Sequence, residues 1–159
     1  MLFVLAACTS AAVPTSSPSP IASAAKVPLA RSAAESTECA RSVLSSFIDA
    51  FNRGDSARLA TFFSTTQGAT VFKWFVTPET PAFGPGISQL PDYFATWRDS
   101  GERWRLAGVE AGASPGWHGG VDFAMTIERS WPDRSVTNFG KGALDCDARK
   151  IFVFALGSG

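Results

Sequence analysis

Aromatic side chains divide this chain into two unlike parts. Of its 19 aromatic residues, 18 lie beyond position 38, and the 31 residues from Cys8 to Glu38 hold none. Of those 31 positions, 22 are Ser, Ala, Thr or Pro. A segment so poor in large apolar groups buries too little surface to offset its ordering entropy. Pro14, Pro18, Pro20 and Pro28 bias it toward extended backbone, so it reads as a spacer. A core can therefore form only downstream, and residues 38–157 are long enough for one domain.

Charge narrows the function classes. Lys and Arg total 14, balanced by 14 Asp and Glu. The balance holds in each part, with two of each sign in residues 8–38 and twelve of each in residues 39–157. A phosphate-backbone binder needs an excess of cations, so no nucleic-acid partner is expected. One His and three scattered Cys supply no zinc-type ligand set, so no metal site is expected. No phosphate-binding loop, dinucleotide fingerprint, nucleophile elbow or HExxH motif occurs, and no cofactor is implied.

Periodicity then orders the domain. Val43, Phe47 and Phe51, with Leu44 and Ile48 beside them, form one apolar stripe and predict a helix over 36–53. Ser36 or Thr37 would cap it, with Glu38 in the first turn, and Gly54 would stop it. Asp55 would cap a second helix over 56–63. Residues 69–76 read as a strand, and the Pro- and Gly-rich stretch 77–88 as a loop. Ser88 would cap a third helix over 89–100, carrying Leu90, Phe94 and Trp97 on one face. Four strands follow, over 103–112, 121–130, 136–146 and 150–156. In the second of them Val121, Phe123, Met125 and Ile127 share one face and Asp122, Ala124, Thr126 and Glu128 the other. Gly140 and Gly142 suggest a bulge or bend. Helices and strands do not alternate as in a doubly wound sheet, so the class is α+β.

The first seven residues, MLFVLAA, precede Cys8. Leu5-Ala6-Ala7-Cys8 resembles a bacterial lipobox, in which a peptidase cuts before a Cys whose thiol carries diacylglycerol. The resemblance implies an exported protein anchored to the outer face of a bacterial membrane through Cys8. It makes 1–7 the end of a signal peptide, 8–37 a disordered tether and 38–157 the domain. No Lys or Arg precedes Cys8, whereas a secretory signal begins with a basic segment. Either the signal starts upstream of Met1 or it is a poor one; a cytosolic chain with a frayed apolar end is the other reading.

Phe47-Ile48-Asp49-Ala50-Phe51-Asn52-Arg53-Gly54-Asp55, followed by Leu59-Ala60-Thr61-Phe62-Phe63, resembles the opening of the nuclear transport factor 2-like, or SnoaL-like, superfamily. The element order agrees from about residue 38 to 157. The resemblance implies a cone-shaped α+β fold, a curved mixed sheet wrapped around the long first helix with a pocket at its wide end. It says little about activity, because this superfamily holds isomerases, dehydratases, cyclases and non-catalytic binders. A non-catalytic module for a small ligand or a partner protein is the leading expectation, and an isomerase, dehydratase or cyclase using the cone pocket is the second. The small ligand would be apolar or anionic, and a homodimer through the outer face of the sheet stays open.

In an exported domain, Cys39 and Cys146 form an even pair and predict a disulfide that joins the two ends of the domain. Two separate buried thiols are the alternative. Trp74, Tyr93, Trp97, Phe123 and Arg129 are the candidate pocket residues, although aromatics at these spacings are commonly plain core. Acid–base chemistry of the ketosteroid-isomerase kind, which the resemblance brings in, needs carboxylates and a Tyr in an apolar cup. Asp92, Tyr93, His118, Asp122 and Glu128 are the weak candidates. Arg129 continues the apolar parity of Phe123, Met125 and Ile127. Either the strand ends at Ile127 and Arg129 reaches solvent, or the guanidinium is buried and needs Asp145, Asp122 or a ligand carboxylate.

Overall fold

A computed structural model describes residues 31–63, 71–77, 80–83, 89–114 and 120–157. Helix α1 spans Ala33–Arg53, α2 Ser56–Thr61 and α3 Leu90–Asp99. Strands β1 to β6 are Val71–Thr77, Thr80–Phe83, Arg103–Ala113, Gly120–Trp131, Arg134–Asp145 and Lys150–Leu156. They form one sheet in the order β2-β1-β6-β5-β4-β3. β1 runs parallel to β6 and every other pairing is antiparallel, so the sheet is mixed.

α1 starts three residues earlier than the capping residues Ser36 and Thr37 predict. Ser32 is the N-cap and forms a complete capping box with Glu35. The Glu35 carboxylate accepts from the Ser32 backbone N–H at 2.8 Å, and Ser32 Oγ accepts from the Glu35 N–H at 3.2 Å. Donation from the Ser32 N–H and from the Ser32 hydroxyl, the latter also at 2.8 Å, holds the exposed Glu35 carboxyl below its usual range. Ser36 is fully buried on the inner side of the first turn. Gly54 ends α1 in the left-handed region at φ 73°, where its missing Cβ removes the strain. Asp55 caps α2 as expected, accepting from the Arg58 N–H at 3.0 Å.

The stretch predicted as a loop over 77–88 contains β2. Pro81 lies in β2, which pairs only with β1 at the edge of the sheet, where proline's missing N–H costs no ladder bond. Ser88 lies outside the described residues; α3 has Gln89 at its N-cap without a side-chain capping bond and Pro91 in its first turn.

The apolar stripe of α1 packs on the concave face of the sheet. Phe47 sits at the centre, with the rings of Phe63, Phe94 and Phe154 at 5.6, 5.4 and 5.4 Å. Phe62 and Trp104 stand at 5.9 and 6.1 Å. Phe51 stacks on Trp104 at 4.4 Å. On β4 the predicted alternation holds: Val121, Phe123, Met125 and Ile127 are buried, while Asp122 and Ala124 face out. Cys39 in α1 and Cys146 after β5 form the expected disulfide, with Cα atoms 5.9 Å apart.

Gly142 makes room rather than a bend. A Cβ there would lie 2.0 Å from the Val153 carbonyl oxygen and 2.5 Å from Phe123 Cζ. The register shift between β5 and β6 falls instead between Ala143 and Leu144. Gly142→Ala is expected to lower unfolding stability by about 1–3 kcal/mol in urea titration. Gly112→Ala, with nothing within 4 Å of its Cβ, is expected to change it by less than about 0.5 kcal/mol.

Candidate functional site

Beside the aromatic core lies a buried polar cluster of Glu102, Arg129 and Asn138. Gly101, in the left-handed region at φ 88°, turns the chain from α3 into β3. The next residue, Glu102, is fully buried. It shares strand parity with Trp104, so its carboxylate points into the fold. Glu102 Oε1 accepts from Trp104 Nε1 and from Arg129 Nε, each at 2.5 Å. Glu102 Oε2 is buried with no hydrogen-bond partner among the described residues.

Arg129 is 8% exposed, on β4 beside Trp104 in the register of the two strands. β4 runs on to Trp131, and the reading in which the strand ends at Ile127 and Arg129 reaches solvent is corrected. The partner expected among Asp145 and Asp122 is Glu102 instead. Asp145 accepts from the Asp147 and Ala148 N–H groups at 2.8 and 2.9 Å and so shapes the turn after β5. The guanidinium carbon of Arg129 lies 5.5 Å from the Trp97 ring centroid and 4.9 Å from that of Trp131. Arg134 covers the Trp131 ring at 4.7 Å. Arg129 Nη1 also reaches Asn138 Oδ1 at 3.5 Å, and Asn138 Nδ2 donates to the Gly157 carbonyl at 2.6 Å. Two tryptophan faces thus help to solvate a guanidinium that has little access to water.

Asn52, in the polar turn that carries the family resemblance, joins this region to α1. Its Nδ2 donates to the Trp104 carbonyl at 2.8 Å and its Oδ1 accepts from the Trp104 N–H at 2.9 Å. Tyr93 packs edge-on against Phe94 and Trp97 at 5.8 and 6.0 Å. Burial pushes its phenol above the ordinary value, assisted by the Glu102 charge and opposed by the Trp97 hydrogen bond and Arg129. At neutral pH it is a hydroxyl that donates rather than a base.

Among the predicted pocket residues, Tyr93, Trp97 and Arg129 come together. Phe123 lies in the core over Gly142, six residues from Arg129 and so about 20 Å away along the strand. Asp92 is exposed on the first turn of α3, and Asp122 is exposed on the convex face. Glu128, half-buried on that face, pairs with Arg105, whose Nε donates to it at 3.1 Å. The Trp74 side chain, His118 and Cys8 lie outside the described residues. Among the described residues no group of three or more His, Cys, Asp or Glu could hold a metal, and no helix is long and apolar enough to cross a membrane.

Neither a protein-family scan nor a search of curated proteins matches the sequence. Solved structures do. A protein of unknown function with a cystatin-like fold from Methylobium petroleophilum superposes with TM-score 0.58 at 14% identity, covering 76% of each chain. An NTF-2 like protein of unknown function from Shewanella oneidensis superposes with TM-score 0.56 at 11% identity, covering 76% of this chain and 98% of that one. An LEH-like epoxide hydrolase from M. tuberculosis gives TM-score 0.50 at 13% identity, covering 76% and 83%. Likeness at such identities carries the fold and not the chemistry. The fold of this domain is the nuclear transport factor 2-like, cystatin-like α+β fold.

Proposed function

We propose that this chain is a lipid-anchored cell-envelope protein whose domain binds a small ligand or a partner without catalysing a reaction. The observation that carries the reading is the state of the concave interior. Phe47, Phe51, Phe63, Phe94, Trp104 and Phe154 fill it, each no more than 3% exposed. Glu102, the one buried acid among the described residues, is committed to Arg129 and Trp104. Acid–base catalysis needs a titratable group aimed at a substrate in a cavity. Asp92 and Asp122 instead face solvent from different elements, and Tyr93 holds its proton. The binding surface in this reading is the rim of Tyr93, Trp97, Trp131 and Arg129. Its aromatic side chains suit a ligand with an apolar body, and the exposed Arg134 over Trp131 could meet an anionic group. An isomerase, dehydratase or cyclase is the second reading, favoured by Glu102 Oε2, which has no hydrogen-bond partner among the described residues.

Two measurements test the proposal. Intact-mass spectrometry of the protein from a lipoprotein-processing bacterium should show a diacylglycerol-modified N-terminal Cys8, absent in Cys8→Ser. A soluble chain with an unmodified Cys8 defeats the anchor. Native mass spectrometry of the purified domain should retain a small molecule that Trp131→Ala weakens by about tenfold, as expected for loss of one aromatic contact at the rim. Turnover of an epoxide or enone substrate that disappears in a folded Glu102→Gln variant would replace this reading with the enzymatic one.

A further inference from the structure

A second site lies far from the aromatic rim. A surface groove of about 620 Å³ opens between α2 and the turn that joins β5 to β6. Arg58, Arg149 and Lys150 line it, with Asp55 as its only acid, which leaves a net charge of +2. None of these three cations belongs to an ion pair among the described residues. Each is steadied by neutral groups. Arg149, at φ 53°, sends its guanidinium to Ser42 Oγ at 3.2 Å and Ser46 Oγ at 3.5 Å on α1. The Lys150 ammonium donates to the Thr61 carbonyl. The Arg58 guanidinium lies over the Phe62 ring at 5.8 Å. Asp55 is engaged as the cap of α2. Positive charge held in place by neutral partners keeps its outward field, and here it stands on a chain whose net charge is zero.

The same face receives the N-terminal segment. The described chain begins at Arg31, whose guanidinium pairs with Asp147, the neighbour of groove residue Ala148. We propose that this groove is a docking face for a bilayer rich in anionic phospholipid, its three cations taking the headgroup phosphates. Delivery to the bilayer rests on the lipid-anchor reading above; the charge complementarity does not. A flexible tether of the 23 residues that precede Arg31 from Cys8 on, as the lipid-anchor reading requires, would reach about 25–30 Å and let an anchored domain sample the surface repeatedly. Attraction between the cations and the surface acts only within about 8–10 Å, and this orients the domain with α2 and the turn toward the lipid.

The test uses the full chain as Cys8→Ser, so that no lipid contributes. The protein should co-sediment with phosphatidylglycerol-containing vesicles, be released by added salt, and ignore pure phosphatidylcholine vesicles. Arg58→Gln, which removes an exposed guanidinium lying over the Phe62 ring, should weaken partitioning by about fivefold. The triple variant with Arg149→Gln and Lys150→Gln should weaken it by about a hundredfold. Arg105→Gln on the convex face should leave it unchanged. Equal partitioning onto phosphatidylcholine, or an unaltered affinity in a folded Arg58→Gln variant, overturns the proposal. So does competition by inorganic phosphate beyond that of chloride at matched ionic strength, since it would mark a pocket for soluble anions. An unmodified Cys8 in cells defeats the anchor while leaving the vesicle result standing.

Discussion

Arg129→Met should destabilise the domain by about 3–5 kcal/mol at neutral pH, the range for breaking a buried ion pair from one side. The substitution removes a charge from the 8%-exposed position and leaves Glu102, which is fully buried, with the Trp104 Nε1–H as its remaining side-chain donor among the described residues. Its Oε2 already lacks a hydrogen-bond partner among the described residues, so none of them takes up the lost stabilisation. Glu102→Gln should cost less, about 1–3 kcal/mol. The amide oxygen still accepts from Trp104, and the guanidinium keeps the faces of Trp97 and Trp131 and the oxygen of Asn138. The double variant should be more stable than the sum of the singles implies, with a coupling of about 1–3 kcal/mol. Urea unfolding followed by tryptophan fluorescence measures all four proteins, because Trp97, Trp104 and Trp131 surround the pair. Strict additivity would mean that the two groups do not act as a unit.

The sequence exposed half of this pair. Arg129 stands out because it continues the parity of Phe123, Met125 and Ile127, and a guanidinium on an apolar parity demands a partner. Glu102 escapes notice because it precedes the predicted start of β3 and follows Gly101, so it looks like a turn residue. Extending the parity of Trp104 back by two positions would have placed it inside. What a single strand cannot supply is the β3–β4 register that sets Trp104 opposite Arg129, or the packing of α3 that brings Trp97 over the guanidinium. The same boundary separates the other outcomes. Asp55, Gly54 and the alternation of β4 act locally and were legible. The start of α1 went to Ser32 because Ser32 and Glu35 complete a box that Ser36 and Glu38 do not. β2 was hidden by Pro81, whose tolerance depends on lying at an edge, a property of the assembled sheet.

Removing the Cys39–Cys146 bridge should lower stability by about 2–5 kcal/mol, with the chain-entropy value near 4.7 kcal/mol for a loop of this size. The cysteines are 107 residues apart, so the bridge closes almost the whole domain. Cys39→Ala/Cys146→Ala should therefore melt about 10–20 °C below the oxidised protein. Little of this loss comes from packing, because both sulfurs lie at the edge of the core and are only half-buried. The bond acts chiefly on the unfolded chain, which makes its effect separable in kinetics. Oxidised and double-variant proteins should unfold at similar rates in concentrated urea, while refolding of the double variant slows, since α1 and the end of β5 must then meet without a tether between them. A slowed refolding limb with an unchanged unfolding limb assigns the bridge to the unfolded state. A faster unfolding limb with unchanged refolding would instead make it a contact formed after the transition state. An unshifted melting temperature would mean that the unfolded chain already holds its two ends together. The ion pair between Arg31 and Asp147 spans the same two segments in the native state, but it is exposed and worth under about 1 kcal/mol. It cannot replace the covalent link, so the reduced protein should be the less stable one under any salt condition.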